Sequence, residues 1–444
     1  MESAREITAI DADNFWSLLP AVLEDIAAAE LIGLDLEMTG VRLRDGIFGR
    51  KVKFMAEQCY VEAAEAAKAF QILEVGITCL RYGPEDKSYH WKGYSFQLAP
   101  WYLGNEAGNL ALAKFLDRRF SLSGNTASFL RASRGDDLPA RVLSKGITYL
   151  SRQEAQDAYD NFVDPDARNT PLINIDGESP TVRDFCASVR KQITDWLFKR
   201  GEHFINIENP EGDRLTSLQT RLIYQLLETD FKEYGLRGKR KGDCLFMQIT
   251  IKGADKYQEK TLSRQMRDRK LAVRHQTGFR YVFEALAGGD FAEEIDVQLL
   301  LEPGAHSQDK MDEMRRKLRS IEKKTKTRAR VLILHNSLLD LCFLYQSFVG
   351  DLPRTLTQFK LDLQAFPRLV DTKFMVTLGR HEFDPDISLG QLYKMVKNLE
   401  LPLIAPPMPS IRVAHEAGYD SWLTAVAFLK FSWKLGQDRQ LLKT

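Results

Sequence analysis

The first strongly apolar run along the chain is LIGLDL at 31–36, preceded by an Ala-rich, helix-like stretch at 15–30. Segments 70–80 and 91–98 have the β-branched, aromatic and alternating character of strands. With 31–36 they read as a meander at one side of a sheet. Residues 129–150 read as a helix, a polar break and a turn segment, GITYL. The stretch 163–180 is rich in Asp, Asn and Pro with little periodicity and reads as a linker. A compact α/β unit is predicted next: helix 182–199, strand 204–208, helix 215–227 and strand 244–252. Then come a basic helix at 257–271, a core helix at 278–287, an acidic, turn-rich stretch at 291–307 and a Lys/Arg-dominated run at 313–330. Strands at 331–334 and 368–371 and helices at 337–348, 388–396 and 421–435 complete the pattern. Sheet elements therefore lie at both ends with the small unit between them. The expectation is one α/β domain, built from 1–160 and 256–444, interrupted by an inserted domain at 181–253.

Composition changes this picture little. The 444 residues are 44% hydrophobic, enough for substantial buried cores. Lys plus Arg total 62 against 61 Asp plus Glu, so any nucleic-acid footprint must be local rather than global. Local basic stretches at 237–241, 264–274 and 315–330 either track phosphates, act as an import signal, or are solvated helix faces. Five scattered cysteines form no CxxC pair, which argues for a reducing compartment and against structural zinc. The first fifteen residues carry acids early and do not read as a secretory leader, and no apolar run approaches a membrane span. An intracellular protein, in nucleus or cytoplasm, is expected.

The chemistry lies in acids. Asp35 and Glu37 close the first strand, and residues two apart on a strand share a face. Two acids on one face repel each other unless a cation lies between them. Alone, the pair reads as surface acids at an exposed strand end. Asp340 follows the apolar strand VLIL and falls in the first turns of the next helix, where the helix dipole by itself favours an acid. In VAHEAGYDSW, Gly418 separates His415 on a loop from Asp420 near a helix start, so the two side chains can converge; taken alone, they read as a loop histidine and a capping aspartate.

Taken together the set resembles the DEDD exonuclease superfamily, whose motifs run Asp-x-Glu, Asn-x3-Asp and His-x4-Asp. Here the second is Asn336 to Asp340 and the third His415 to Asp420. Position 416 is Glu, not the tyrosine of the alternative third motif, so the histidine subclass fits. The blocks HNSLLDL, FPRLVDTKFM and HEAGYDSW, with RLIYQLL and GITYLS, narrow the resemblance to the poly(A)-specific ribonuclease family, discontinuously over 31–435. That resemblance implies an RNase H-like α/β nuclease fold, a mixed sheet flanked by helices, with a nested small nucleic-acid-binding domain. It implies 3′→5′ exoribonuclease activity releasing 5′-nucleoside monophosphates, with Asp35, Glu37, Asp340 and Asp420 as ligands of two Mg²⁺ ions, for which Mn²⁺ can substitute. His415 would be the general base.

On the substrate side the resemblance points to Lys373 near the scissile phosphate and to Met38, Val41 and Leu138 against the terminal nucleotide. Met38 stands where the family often has an aromatic, which weakens base stacking and any strict adenine preference. Asp371 is expected to be structural. In the inserted unit, Lys199 to His203 has the Arg-x3-His spacing of single-strand-binding domains, with Lys for Arg. Single-stranded RNA 3′ ends are the implied substrate, a homodimer the implied assembly, and 291–327, which has no counterpart in the family pattern, an expected mobile insertion beside the site. Nothing resembles the cap-binding domain of vertebrate members, which tilts the expectation from poly(A) removal toward trimming of small or non-coding RNA. The rivals are a DNA exonuclease of the superfamily and an inactive RNA-binding protein on a nuclease scaffold.

Overall fold

A computed structural model describes residues 7–43, 56–99, 118–134, 145–163, 172–199, 203–242, 244–251, 256–302, 304, 306–378, 384, 386–406 and 416–441. Its strands are β1 (Thr8–Ile10), β2 (Leu31–Met38), β3 (Ile72–Gly83), β4 (Ser88–Gln97), β5 (Phe204–Glu208), β6 (Leu236–Lys241), β7 (Phe246–Ile251), β8 (Val331–Leu334), β9 (Arg368–Asp371) and β10 (Leu403–Ala405). The chain divides into two compact units, one of residues 1–158 with 271–444 and one of 159–270. The expected inserted stretch 181–253 lies inside the second.

In the first unit β2, β3 and β4 form the expected antiparallel meander, and β8 and β9 extend it in parallel beyond β2. The outer edge of β4 is covered in two places, by β10 at Ser88–His90 and by β1 at Tyr94–Phe96. This mixed sheet, with β3 alone opposed to its neighbours and helices on its faces, is the RNase H-like arrangement.

The two faces of the meander differ in chemistry because side chains alternate. Leu34 and Leu36 of β2, Val75, Ile77 and Cys79 of β3, and Tyr94 and Phe96 of β4 enter one large core. Helices Phe15–Ala28, Ala56–Ala69, Arg280–Ala287 and Leu338–Phe348 contribute to the same core. On the opposite face Asp35 stands across from Gly76, and Glu37 across from Glu74. Helix Ala417–Leu441 covers that face. It comes close because Gly33 and Gly76 lack side chains. A Cβ on Gly33 would strike the Ser421 carbonyl, and one on Gly76 the Ala417 carbonyl. Deep in this contact the Thr78 and Ser421 hydroxyls meet at 2.9 Å.

The segment 291–327 corrects the expectation of a mobile insertion. Phe291, Ile295, Val297, Leu318 and Ile321 are all buried in the main core. Helix Gln308–Thr327 packs a narrow apolar stripe on helix Phe15–Ala28. Its basic residues pair with acids of the same unit: Lys317 with Glu24 at 3.1 Å, Arg319 with Glu293 at 2.6 Å, and Arg328 beyond the helix with Glu30 at 3.1 Å. These pairs occupy part of the basic 315–330 run, and Arg330 at its end is buried.

The second unit is a three-stranded antiparallel sheet, ordered β5-β7-β6. Ile207, Met247, Ile249 and Leu236 pack against helices Pro180–Phe198 and Ser217–Thr229 around Val189, Ile193, Trp196, Leu222 and Ile223. The second helix starts with a reciprocal capping box between Thr216 and Gln219.

Candidate functional site

Four of the five motif residues predicted from sequence are described, and all four are partly buried. Asp35, Glu37 and Asp420 each offer a carboxylate oxygen, and these oxygens lie within 4.8 Å of one another. The strand supplies the first two on one face, as alternation requires. The third arrives in the first turn of helix Ala417–Leu441, whose start lies against Gly76, the residue paired with Asp35. His415 and Leu138 lie outside the described residues.

Asp340 stands in the first turn of helix Leu338–Phe348, directly after β8, the parallel neighbour of β2. It is not in the tight trio, yet its charge is among those that act on Asp35. Burial, then Asp420, Glu37, Asp340 and Glu74 in decreasing order, pushes the Asp35 carboxyl well above the usual carboxylate range. Burial, with Asp371, pushes Asp340 up to about 8. Like charges gathered in a partly dry pocket are costly until a hard cation neutralises them. Carboxylate oxygens alone suit Mg²⁺ or Mn²⁺, so the donor set fits the expected ions.

Asp371 has the structural role expected, and its contacts show how it shapes the site. Its carboxylate accepts the backbone N–H groups of Asn336 (3.1 Å), Ser337 (2.8 Å), Lys373 (2.9 Å) and Phe374 (3.1 Å), and the Ser337 hydroxyl (3.0 Å). Burial works against its ionised form, but these donors hold its pKa below the usual range. One side chain thus caps helix Thr372–Thr377 and pins the junction ahead of Asp340. At that junction Asn336 takes a φ of 61°, a left-handed conformation Asn tolerates better than most residues. Lys373, on the same short helix, is partly buried.

The nucleotide-facing candidates at the end of β2 and just beyond it separate. Val41 is 46% exposed, whereas Met38 packs into the main core with 5% exposure. Glu74, buried on the acid face opposite Glu37, was not among the residues singled out from sequence. In ILEVGITC it reads as one polar letter in a core strand, and only the register assigns it to the acids.

The raised carboxyls carry a pH prediction. A carboxyl raised in the folded state binds its proton more tightly there than in the unfolded chain. Protonation therefore stabilises the fold fully below the ordinary carboxylate range of about 4, and the contribution is lost as pH rises through about 8 for Asp340. Thermal unfolding without divalent ions is expected to move to lower temperature from about pH 5 to about pH 8. Added Mg²⁺ should reduce that fall. A melting temperature that rises over this range without divalent ions would contradict the reading.

Comparison with known proteins adds an independent line. The model of the CAF1 family ribonucleases matches residues 10–428. Poly(A)-specific ribonuclease PARN of Xenopus laevis is 22% identical over 447 residues, 96% of this chain and 63% of that protein. The chain thus spans less than two thirds of that relative's length. The pre-piRNA 3′-exonuclease trimmer of Bombyx mori is 19% identical over 449 residues, 97% of this chain and 72% of that protein. Among solved structures, the Mg²⁺- and Mn²⁺-bound form of S. pombe Pop2p aligns over 96% of this chain and 92% of its own, at 10% identity and a TM-score of 0.41.

Proposed function

The chain belongs to the CAF1 family of ribonucleases, and from that premise we propose that it is a divalent-metal-dependent 3′→5′ exoribonuclease acting on single-stranded RNA. The observation that carries the proposal is the convergence of Asp35, Glu37 and Asp420 within 4.8 Å on one sheet face. Asp340 enters from the neighbouring strand-to-helix junction.

In this reading Asp35, Glu37, Asp340 and Asp420 hold two Mg²⁺ or Mn²⁺ ions. When bound, such ions lower the pKa of an attacking water and offset charge on the leaving 3′-oxygen. His415, five residues before Asp420, would accept a proton from the attacking water; the ordinary pKa of histidine, near neutrality, suits it to the task. Lys373 stabilises phosphate charge. The buried position of Met38 leaves Val41 as the β2-side contact for the terminal base.

The second unit supplies a surface for the strand. On the face of its sheet away from the helices, Arg237, Lys239 and Lys241 form a basic edge. Gln248 lies beside Lys239 across the register and Asn206 beside Gln248, with Phe246 beside Lys241 and exposed Phe204 on the far strand. Cations for phosphates with amides and rings for bases are what single-strand binding needs. The names of two relatives, a poly(A)-specific ribonuclease and a pre-piRNA 3′-exonuclease, support tail removal and 3′ trimming as the two readings of its role. The homodimer rests on the family resemblance alone. Among the described residues no helix is long and apolar enough to cross a membrane.

Product chemistry tests the proposal. Water attack predicts nucleoside 5′-monophosphates as the sole small products, read by chromatography of a complete digest. Cyclic 2′,3′-phosphates would mean attack by the RNA's own hydroxyl and 3′-monophosphates departure of the 5′-oxygen, and either would overturn it.

A further inference from the structure

We propose that Glu74 is a positioning residue of the acid site, raising its affinity for divalent cations from beside the three converging carboxylates. The inference rests on the metal-dependent reading above. Glu74 is 1% exposed, on β3, paired directly with Glu37 of β2. Paired residues of an antiparallel ladder point to the same face and stand close together. Glu74 is therefore on the acid face, two register positions from the Asp35–Gly76 pair.

The remaining neighbours fix it in place. On its other side β4 presents Gln97 opposite Glu74 and Ser95 opposite Gly76. The Ser95 hydroxyl donates to a Glu74 carboxylate oxygen. Both Ser95 and Gln97 are buried, at 5% and 7% exposure. Glu74 stands outside the trio whose oxygens lie within 4.8 Å, so it is not one of its converging ligands. Its charge nonetheless reaches the trio, being among those that act on Asp35. A carboxylate anchored beside a partly buried acid cluster makes the empty cluster costlier and the cation-filled one more favourable.

The test uses the whole chain and Mn²⁺ alone, with affinity read by calorimetry and melting temperature read in EDTA. Glu74→Gln keeps the shape and the acceptor for Ser95 while removing the charge. It is expected to weaken Mn²⁺ binding on the order of tenfold, the low end of the usual effect of an outer-shell group, and to raise the melting temperature in EDTA. Glu74→Asp, which keeps the charge, should bind Mn²⁺ more tightly than the Gln variant. Unchanged Mn²⁺ affinity in Glu74→Gln would overturn the role of Glu74 while leaving the metal reading intact. Absence of Mn²⁺ binding by the unaltered chain would overturn both. If the Gln variant does not fold, Glu74→Asp against the unaltered chain decides: affinity within about threefold supports the charge role, and a tenfold loss overturns it.

Discussion

Asp35→Ala is expected to abolish RNA cleavage while leaving RNA binding in place. Asp35 belongs to the converging trio and feels every other acid of the site. Metal-ion stabilisation of transition-state charge is worth several kcal/mol. At about 1.4 kcal/mol per tenfold change, its loss is a fall of about a thousandfold or more. A misfolded variant would give the same loss of activity, so a second reading separates the cases. Because burial and neighbouring charges disfavour ionised Asp35, removing it should raise the melting temperature in EDTA and remove most of the stabilisation by Mg²⁺. Asp340→Ala should behave alike. Retained turnover in either variant would count against the assignment.

Gly76→Ala is expected to cost nearly as much, although glycine 76 does no chemistry. The added methyl would fall on the Ala417 carbonyl, which belongs to the helix that brings Asp420 to Asp35. The helix start must shift, and Asp420 shifts with it. Overpacking of this kind typically costs 1–3 kcal/mol, and a misplacement of about 1 Å at a reacting centre can cost about a hundredfold in rate. The measurements are turnover and thermal unfolding with and without Mg²⁺. Full activity in Gly76→Ala would mean that the helix does not depend on this contact. The Thr78–Ser421 hydroxyl contact at 2.9 Å lies in the same interface and should be lost with it.

Much of this arrangement was legible before any coordinates. Strand alternation alone placed Asp35 and Glu37 together, and the glycine before Asp420 set that acid at a helix start. The meander of β2, β3 and β4 was visible in their β-branched and aromatic letters. What sequence could not supply was register and long-range packing. Glu74 joins the acids only because β3 pairs Glu74, not Leu73, with Glu37. Asp371 governs the junction before Asp340 through backbone donors about 35 positions away, which no local pattern reveals. The 291–327 segment misled because its helix is charged nearly all round. Only Leu318, Ile321 and Thr325 are buried along it, a stripe too narrow to stand out beside so many lysines and arginines.

The most direct test of the account is degradation of a 5′-labelled single-stranded RNA ending in oligo(A), in Mg²⁺ and in EDTA, beside a matched RNA with a mixed-sequence end. The account predicts a ladder that shortens from the 3′ end in Mg²⁺ and no shortening in EDTA. Faster loss of the oligo(A) end would assign tail removal, and equal rates general trimming. Internal fragments without a ladder, or shortening undiminished in EDTA, would contradict a metal-dependent 3′→5′ exoribonuclease.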